Sequence, residues 1–257
     1  MLNNTYNRVI VTGSNKGIGY EVVKLILQNN MANNVVICSR DMQRGKDAIN
    51  SLVQMNSAWE GKLDLGILDL NSKESISAFK DWYVQKYQTV DCIVNNAGYA
   101  QKGPAFDKEI ILTTFKCNFD GTCFFQQAMS SVMSPGGKVI FVASMAGSGS
   151  FRRISSRDLQ NKFLDKELNF RRLLELKSEM IADWDSNTFE SKGWPGNSYG
   201  LSKMFLMFAA GYAANLPEYI DRNIQMYTMC PGWCKSDMAG WDRAPKTAEE
   251  GADTVIW

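Results

Sequence analysis

The chain has 257 residues, 45% hydrophobic and 21% charged, which is the composition of a globular domain rather than a disordered or fibrous chain. Its 28 basic and 27 acidic residues leave a net charge of +1, so no broad field favours nucleic acid or an anionic membrane. There is no histidine, which removes Ser-His-Asp and Cys-His nucleophilic machinery and every histidine-based metal site, so acid–base chemistry falls to Asp, Glu, Lys, Tyr or Cys.

RVIVT (8–12) predicts a strand, and GYEVVKLILQNN (19–30) a helix with Val22, Val23, Ile26 and Leu27 on one face. NVVICS (34–39) is a second strand, rich in β-branched residues, followed by a polar helix over 42–55. KLDLGILDL (62–70) is the third strand, and Ser72 caps a helix to about Tyr87. VDCIVNNAG (90–98) carries strand four, a long helix covers 107–133, and KVIFVAS (138–144) is strand five. The pattern is helical again from Tyr199 to about Asn215, and NIQMYTMC (223–230) is strand six, stopped by Pro231-Gly232. This alternation predicts right-handed crossovers and a mostly parallel sheet in one domain. Residues 145–197 are too long for an ordinary connection. There Leu173, Leu176 and Met180, with Leu174 and Ile181, predict an ordered insertion of one or two short helices.

The turn TGSNKGIGY follows strand one and opens a helix. Such a turn offers backbone N–H groups and a helix dipole to a diphosphate, here through Gly13, Asn15, Lys16, Gly17, Ile18 and Gly19. Asp69, with Leu70, ends strand three where a carboxylate can accept from an adenine amino group. NNAG places Asn96, Ala97 and Gly98 at the crevice where a dinucleotide lies, though Asn95 and Asn96 can equally tie adjacent strands together. Arg40 and Arg44 past strand two, with Lys16, favour a 2′-phosphate and hence NADPH/NADP+, with Asp41 as a possible spoiler.

With Asn118 in KCNFDGT, Ser144 ending VIFVAS, and YGLSK from Tyr199 to Lys203, these motifs resemble the short-chain dehydrogenase/reductases over nearly the whole chain. The long interval before Tyr199, with GWPGNSYGLSK, CPGWCKSDMAG and APKTAEEGAD, resembles the carbonyl reductase branch. The resemblance implies a Rossmann-like doubly wound sheet and NADPH-dependent reduction of ketones, aldehydes or quinones. Tyr199 and Lys203, four apart, share a helix face, and an ammonium near a phenol lowers its pKa. Tyr199 is then the proton donor to the carbonyl oxygen and Ser144 its orienting partner. Lys203 would reach the nicotinamide ribose, and the resemblance implies that Asn118 holds a relay water. Cys234, Lys235 and Ser236 lie where the family meets the carboxamide. Met145, Trp233 and Met238 either wall an apolar substrate pocket or are plain loop packing. The insertion implies a monomer, because in that branch it covers the helices through which relatives associate.

The chain stops at GADTVIW, before a further strand that the resemblance leads one to expect. Two other readings stand beside the reductase: an NADP-dependent secondary-alcohol dehydrogenase, and a non-catalytic NADP-binding sensor or scaffold. The six cysteines form no CxxC and read as free thiols of a reducing compartment, the cytoplasm. The longest apolar runs are strand-sized, and MLNNTYNR is too polar for a secretory signal. No membrane or nucleic-acid partner is expected.

Overall fold

A computed structural model describes residues 6–238 and 243–256. Its strands are β1 (Tyr6–Val11), β2 (Ala32–Ser39), β3 (Leu63–Ile67), β4 (Val90–Asn95), β5 (Met133–Val142) and β6 (Gln225–Met229). Each pairs in parallel with its neighbours in the order β3-β2-β1-β4-β5-β6. The order reverses direction at the β1/β4 pair, which opens a crevice beyond the carboxyl ends of these two strands.

Strand residues alternate between two apolar layers, as a sheet buried on both faces requires. Ile10, Val36, Ile93, Val139 and Phe141 face one layer. Val9, Val11, Val35, Ile37, Cys92, Val94, Ile140 and Val142 face the other.

The helices are α1 (Gly17–Gln28), α2 (Met42–Met55), α3 (Lys73–Tyr87), α4 (Lys108–Phe115), α5 (Thr122–Met129), α6 (Met145–Arg152), α7 (Arg157–Leu164), α8 (Phe170–Asp185), α9 (Ser198–Ala213), α10 (Pro217–Ile220) and α11 (Ala248–Ile256). The long helix expected over 107–133 is interrupted by a π-helical turn, Lys116–Gly121, and ends sooner, at Met129. Strand five starts earlier than expected and stops at Val142, because Ser144 caps α6 instead of extending the strand.

The insertion is three helices rather than one or two. α7 and α8 bury Leu159, Phe163, Leu173, Leu176 and Met180 against Ile111 and Phe115 of α4 and Leu201, Met204 and Phe205 of α9. Leu174 points outward instead. Two ion pairs tie α8 down, Lys108 to Asp185 at 2.6 Å and Lys177 to Asp120 at 2.7 Å. All six cysteines are free. Among the described residues no helix is long and apolar enough to cross a membrane.

Candidate active site

The turn between β1 and α1 needs glycine twice, at Gly13 (φ +62°) and Gly17 (φ +61°). It is braced against the turn after β4. Thr12 Oγ1 accepts from the N–H groups of Asn96 (3.0 Å) and Ala97 (2.9 Å), while Asn96 Nδ2 donates to the carbonyls of Thr12 (2.9 Å) and Gly13 (3.1 Å). A Cβ on Gly13 would stand 2.9 Å from Ala97 Cα. The strand-tying role open to Asn96 is therefore real, and it shapes the loop. Asn95 bonds Gln126 at 3.0 Å, away from the turn.

The first turn of α1 has no side-chain cap, whereas Asp41, Ser72 and Asp107 cap α2, α3 and α4. Those first-turn N–H groups are the donors a diphosphate would use. A Cβ on Gly17 would meet nothing within 4 Å, so the loop faces open space there. Asn15, Lys16, Gly17 and Arg44 line one groove of about 710 Å³. Ile18 turns partly into the core instead. Asp41, the possible spoiler, caps α2, its carboxylate accepting from Arg44 N at 2.8 Å. Arg40 is exposed just past β2, and its charge, like that of Asp69, is felt at Cys117 in the π turn. Asp69 lies two residues beyond β3 rather than at its end, with one oxygen bonded to Asn71 N at 2.9 Å. Leu70 beside it is buried.

The catalytic candidates come from α6 and α9. Ser144 Oγ accepts from Ala146 N at 3.1 Å. Asn197 caps α9 through Gly200 N at 2.8 Å, which sets Tyr199 in the first turn. Ser144 lies beside the Tyr199 phenol and favours its ionised form. Lys203 is 3% exposed, donates to the Val142 carbonyl at 2.7 Å, and holds Nζ 5.9 Å from the Tyr199 ring centroid.

The depressed phenol expected of Tyr199 is not what these surroundings produce. Burial raises its pKa, the Ser144 hydrogen bond opposes that rise, and Cys230 adds to it. Burial also pulls Lys203 down to about 8 against the influence of Cys117 and Cys230. A raised phenol stays protonated at neutral pH, the state a proton donor needs.

Asn118 sits in the π turn, a deviation that recurs at functional sites. Its amide nitrogen donates to Tyr99 O (2.8 Å) and Ser202 Oγ (2.9 Å), and its Oδ1 accepts from Tyr99 N (2.7 Å). Gly98 lies where Asn118, Lys203 and Met238 converge: a Cβ there would be 3.3 Å from Asn118 Oδ1, 3.6 Å from Lys203 Nζ and 3.8 Å from Met238 Cε.

Cys234 does not face the site with its side chain. It is buried, with Sγ 3.3 Å from the Pro231 carbonyl. Lys235 is exposed and Ser236 half-buried. Met145 at the start of α6 and Trp233 and Met238 after β6 are large apolar residues 75%, 52% and 40% exposed. Sequence reasoning missed Thr12, Ser202 and Cys230. Ser202 donates to the Tyr199 carbonyl at 2.8 Å, and Cys230 Sγ accepts from Met145 N at 3.3 Å.

The profile of the short chain dehydrogenases matches residues 7–156. Carbonyl reductase (NADPH) 1 of Bos taurus is 32% identical over 253 residues, spanning 96% of this chain and 88% of its own. Carbonyl reductase (NADPH) 3 of Rattus norvegicus is 32% identical over 254 residues with the same coverage. Among solved structures, salutaridine reductase from Papaver somniferum superposes with a TM-score of 0.85 at 24% identity, over 97% of this chain and 94% of that one, a likeness of fold. The parallel sheet with its glycine turn, the Ser–Tyr–Lys grouping and the profile match agree: the chain belongs to the short chain dehydrogenase family.

Proposed function

We propose that this protein is an NADPH-dependent reductase of carbonyl compounds, taking ketones, aldehydes and quinones to alcohols with Tyr199 as proton donor. It works as a monomer in the cytoplasm, where its six free thiols stay reduced. The observation that carries this reading is the convergence of Tyr199, Ser144 and Lys203 beside a glycine turn whose helix has no side-chain cap. The names of the mammalian relatives, carbonyl reductase (NADPH), point the same way.

The residues present suit NADPH. The uncapped α1 N-terminus and the open space at Gly17 fit a diphosphate, and Lys16 and Arg44 on one groove fit a 2′-phosphate, with Arg40 exposed just past β2. Bound there, NADPH supplies the hydride. Tyr199 gives its phenolic proton to the carbonyl oxygen, and Ser144 hydrogen-bonds the same oxygen and fixes its position. Lys203, anchored on Val142 O, would hold the nicotinamide ribose. Asn118, through Oδ1, holds a water that returns protons to Lys203. Lys235 and Ser236 would meet the carboxamide, and the exposed Met145, Trp233 and Met238 would favour apolar, aromatic substrates.

The test is NADPH oxidation with a panel of quinones and aromatic ketones, wild type beside Tyr199→Phe. Loss of the proton donor should lower turnover by about 10²–10⁴-fold with NADPH binding retained. A variant as active as wild type, or a wild type that binds NADPH yet reduces nothing on the panel, would refute the reading.

A further inference from the structure

The glycine turn and the loop after β6 are joined directly. Lys16 Nζ lies 2.6 Å from Asp237 Oδ2, an ion pair linking residues 221 positions apart. Lys16 is the residue at the head of α1 and lines the same groove as Arg44. Asp237 follows a stretch that is held in place. Cys234 is buried beneath it, Lys235 N donates to Lys246 O at 2.8 Å, and Lys246 N donates to Trp233 O at 3.3 Å. Next to Asp237, Met238 reaches the Gly98 side of the crevice beside Lys203. One loop therefore touches both the phosphate half and the nicotinamide half of the proposed cofactor groove.

We propose that Asp237 is a positioning residue that tempers the preference for the phosphorylated dinucleotide, by holding Lys16 until a 2′-phosphate displaces it. The inference rests on the NADPH reading above. A 2′-phosphate carries up to two negative charges and is drawn to Lys16 and Arg44. Brought to Lys16 it also meets the Asp237 carboxylate, so the two anions compete for one ammonium and Asp237 lets go. NADH brings no such charge and leaves the Lys16–Asp237 pair in place. Asp237 therefore weakens NADPH binding slightly. Both side chains are more than half exposed, so the effect has the modest size of a surface ion pair.

Dissociation constants for NADPH and NADH, read from quenching of tryptophan fluorescence, test this in wild type, Asp237→Asn, Lys16→Met and the double variant. Asp237→Asn should tighten NADPH roughly two- to five-fold and leave NADH unchanged. In the Lys16→Met background the same substitution should do nothing, which separates a relay through Lys16 from a general change in the loop. NADPH affinity that is unchanged or weaker in Asp237→Asn, or an equal shift for both dinucleotides, overturns the proposal. A wild type that binds neither dinucleotide overturns the cofactor reading itself.

Discussion

At the scale of the residue, Lys203 sets chemistry against stability. Its ammonium is buried in the domain, which pulls its pKa from 10.5 down to about 8. Between those values the unfolded chain holds a proton that the folded chain has released, so stability rises as pH climbs from 8 to 10.5. Below pH 8 the folded protein carries the whole cost of the buried charge, about 3 kcal/mol. Lys203→Met removes that cost but leaves the Val142 carbonyl without its donor, an offset of about 1 kcal/mol. Denaturant unfolding should show the variant about 2 kcal/mol more stable at pH 7, with the gain gone near pH 10, while turnover is lost. A variant less stable than wild type at pH 7 would contradict this account. Lys203 and Tyr199 were legible because four residues on a helix put two side chains on one face. The partners that fix them were not. Val142 O, Ser202 and Cys230 reach the site from other elements or as single small polar residues, and such contacts leave no periodic trace in the sequence.

At the scale of the element, the contact between α6 and α9 brings Ser144 to Tyr199. The two helices touch nearly backbone to backbone: a Cβ on Gly147 would lie 2.9 Å from the Lys203 carbonyl carbon, and one on Gly200 2.8 Å from Ala146 O and in collision with Ser150 Oγ. Gly200→Ala should push α6 off α9, costing about 1–3 kcal/mol in stability through overpacking. It should also lower kcat at least ten-fold by separating Ser144 from the phenol, with NADPH affinity reduced far less because the groove of Lys16 and Arg44 lies on other elements. Equal kcat in variant and wild type would show that the close approach is not what aligns the pair. α9 was legible in the sequence and α6 was not, since MAGSGSFR is rich in glycine and serine, which are poor helix formers. Its helicity comes from tertiary contact with α9. The π turn at Asn118 was hidden for a related reason, because the apolar spacing of 107–133 continues through it and only the three-dimensional contacts of Asn118 with Tyr99 and Ser202 mark it out.

At the scale of the whole molecule, the parallel sheet followed from β-branched runs alternating with amphipathic segments, and the two apolar faces of β1, β2, β4 and β5 match that pattern. The course of the insertion did not follow, because a buried stripe tells that a helix is covered without telling by what. The structure gives the partner surface: α4, the π turn and α9. Phe205 of α9 lies at the centre, with ring centroids 5.1 Å from Phe115, 5.5 Å from Phe119 and 5.2 Å from Phe163 of α7. A second copy could use this face only by displacing α7 and α8 along with their ion pairs to α4 and the π turn. Sedimentation should therefore find the mass of one chain at micromolar concentration. The sharper check is Leu176→Ala, which opens a cavity beneath α8 and should cost about 2–5 kcal/mol. If the insertion is what keeps this face from association, the variant should begin to self-associate under conditions where wild type stays single. A wild-type dimer, or a destabilised variant that remains a monomer with this face loosened, would place the barrier to association outside the insertion.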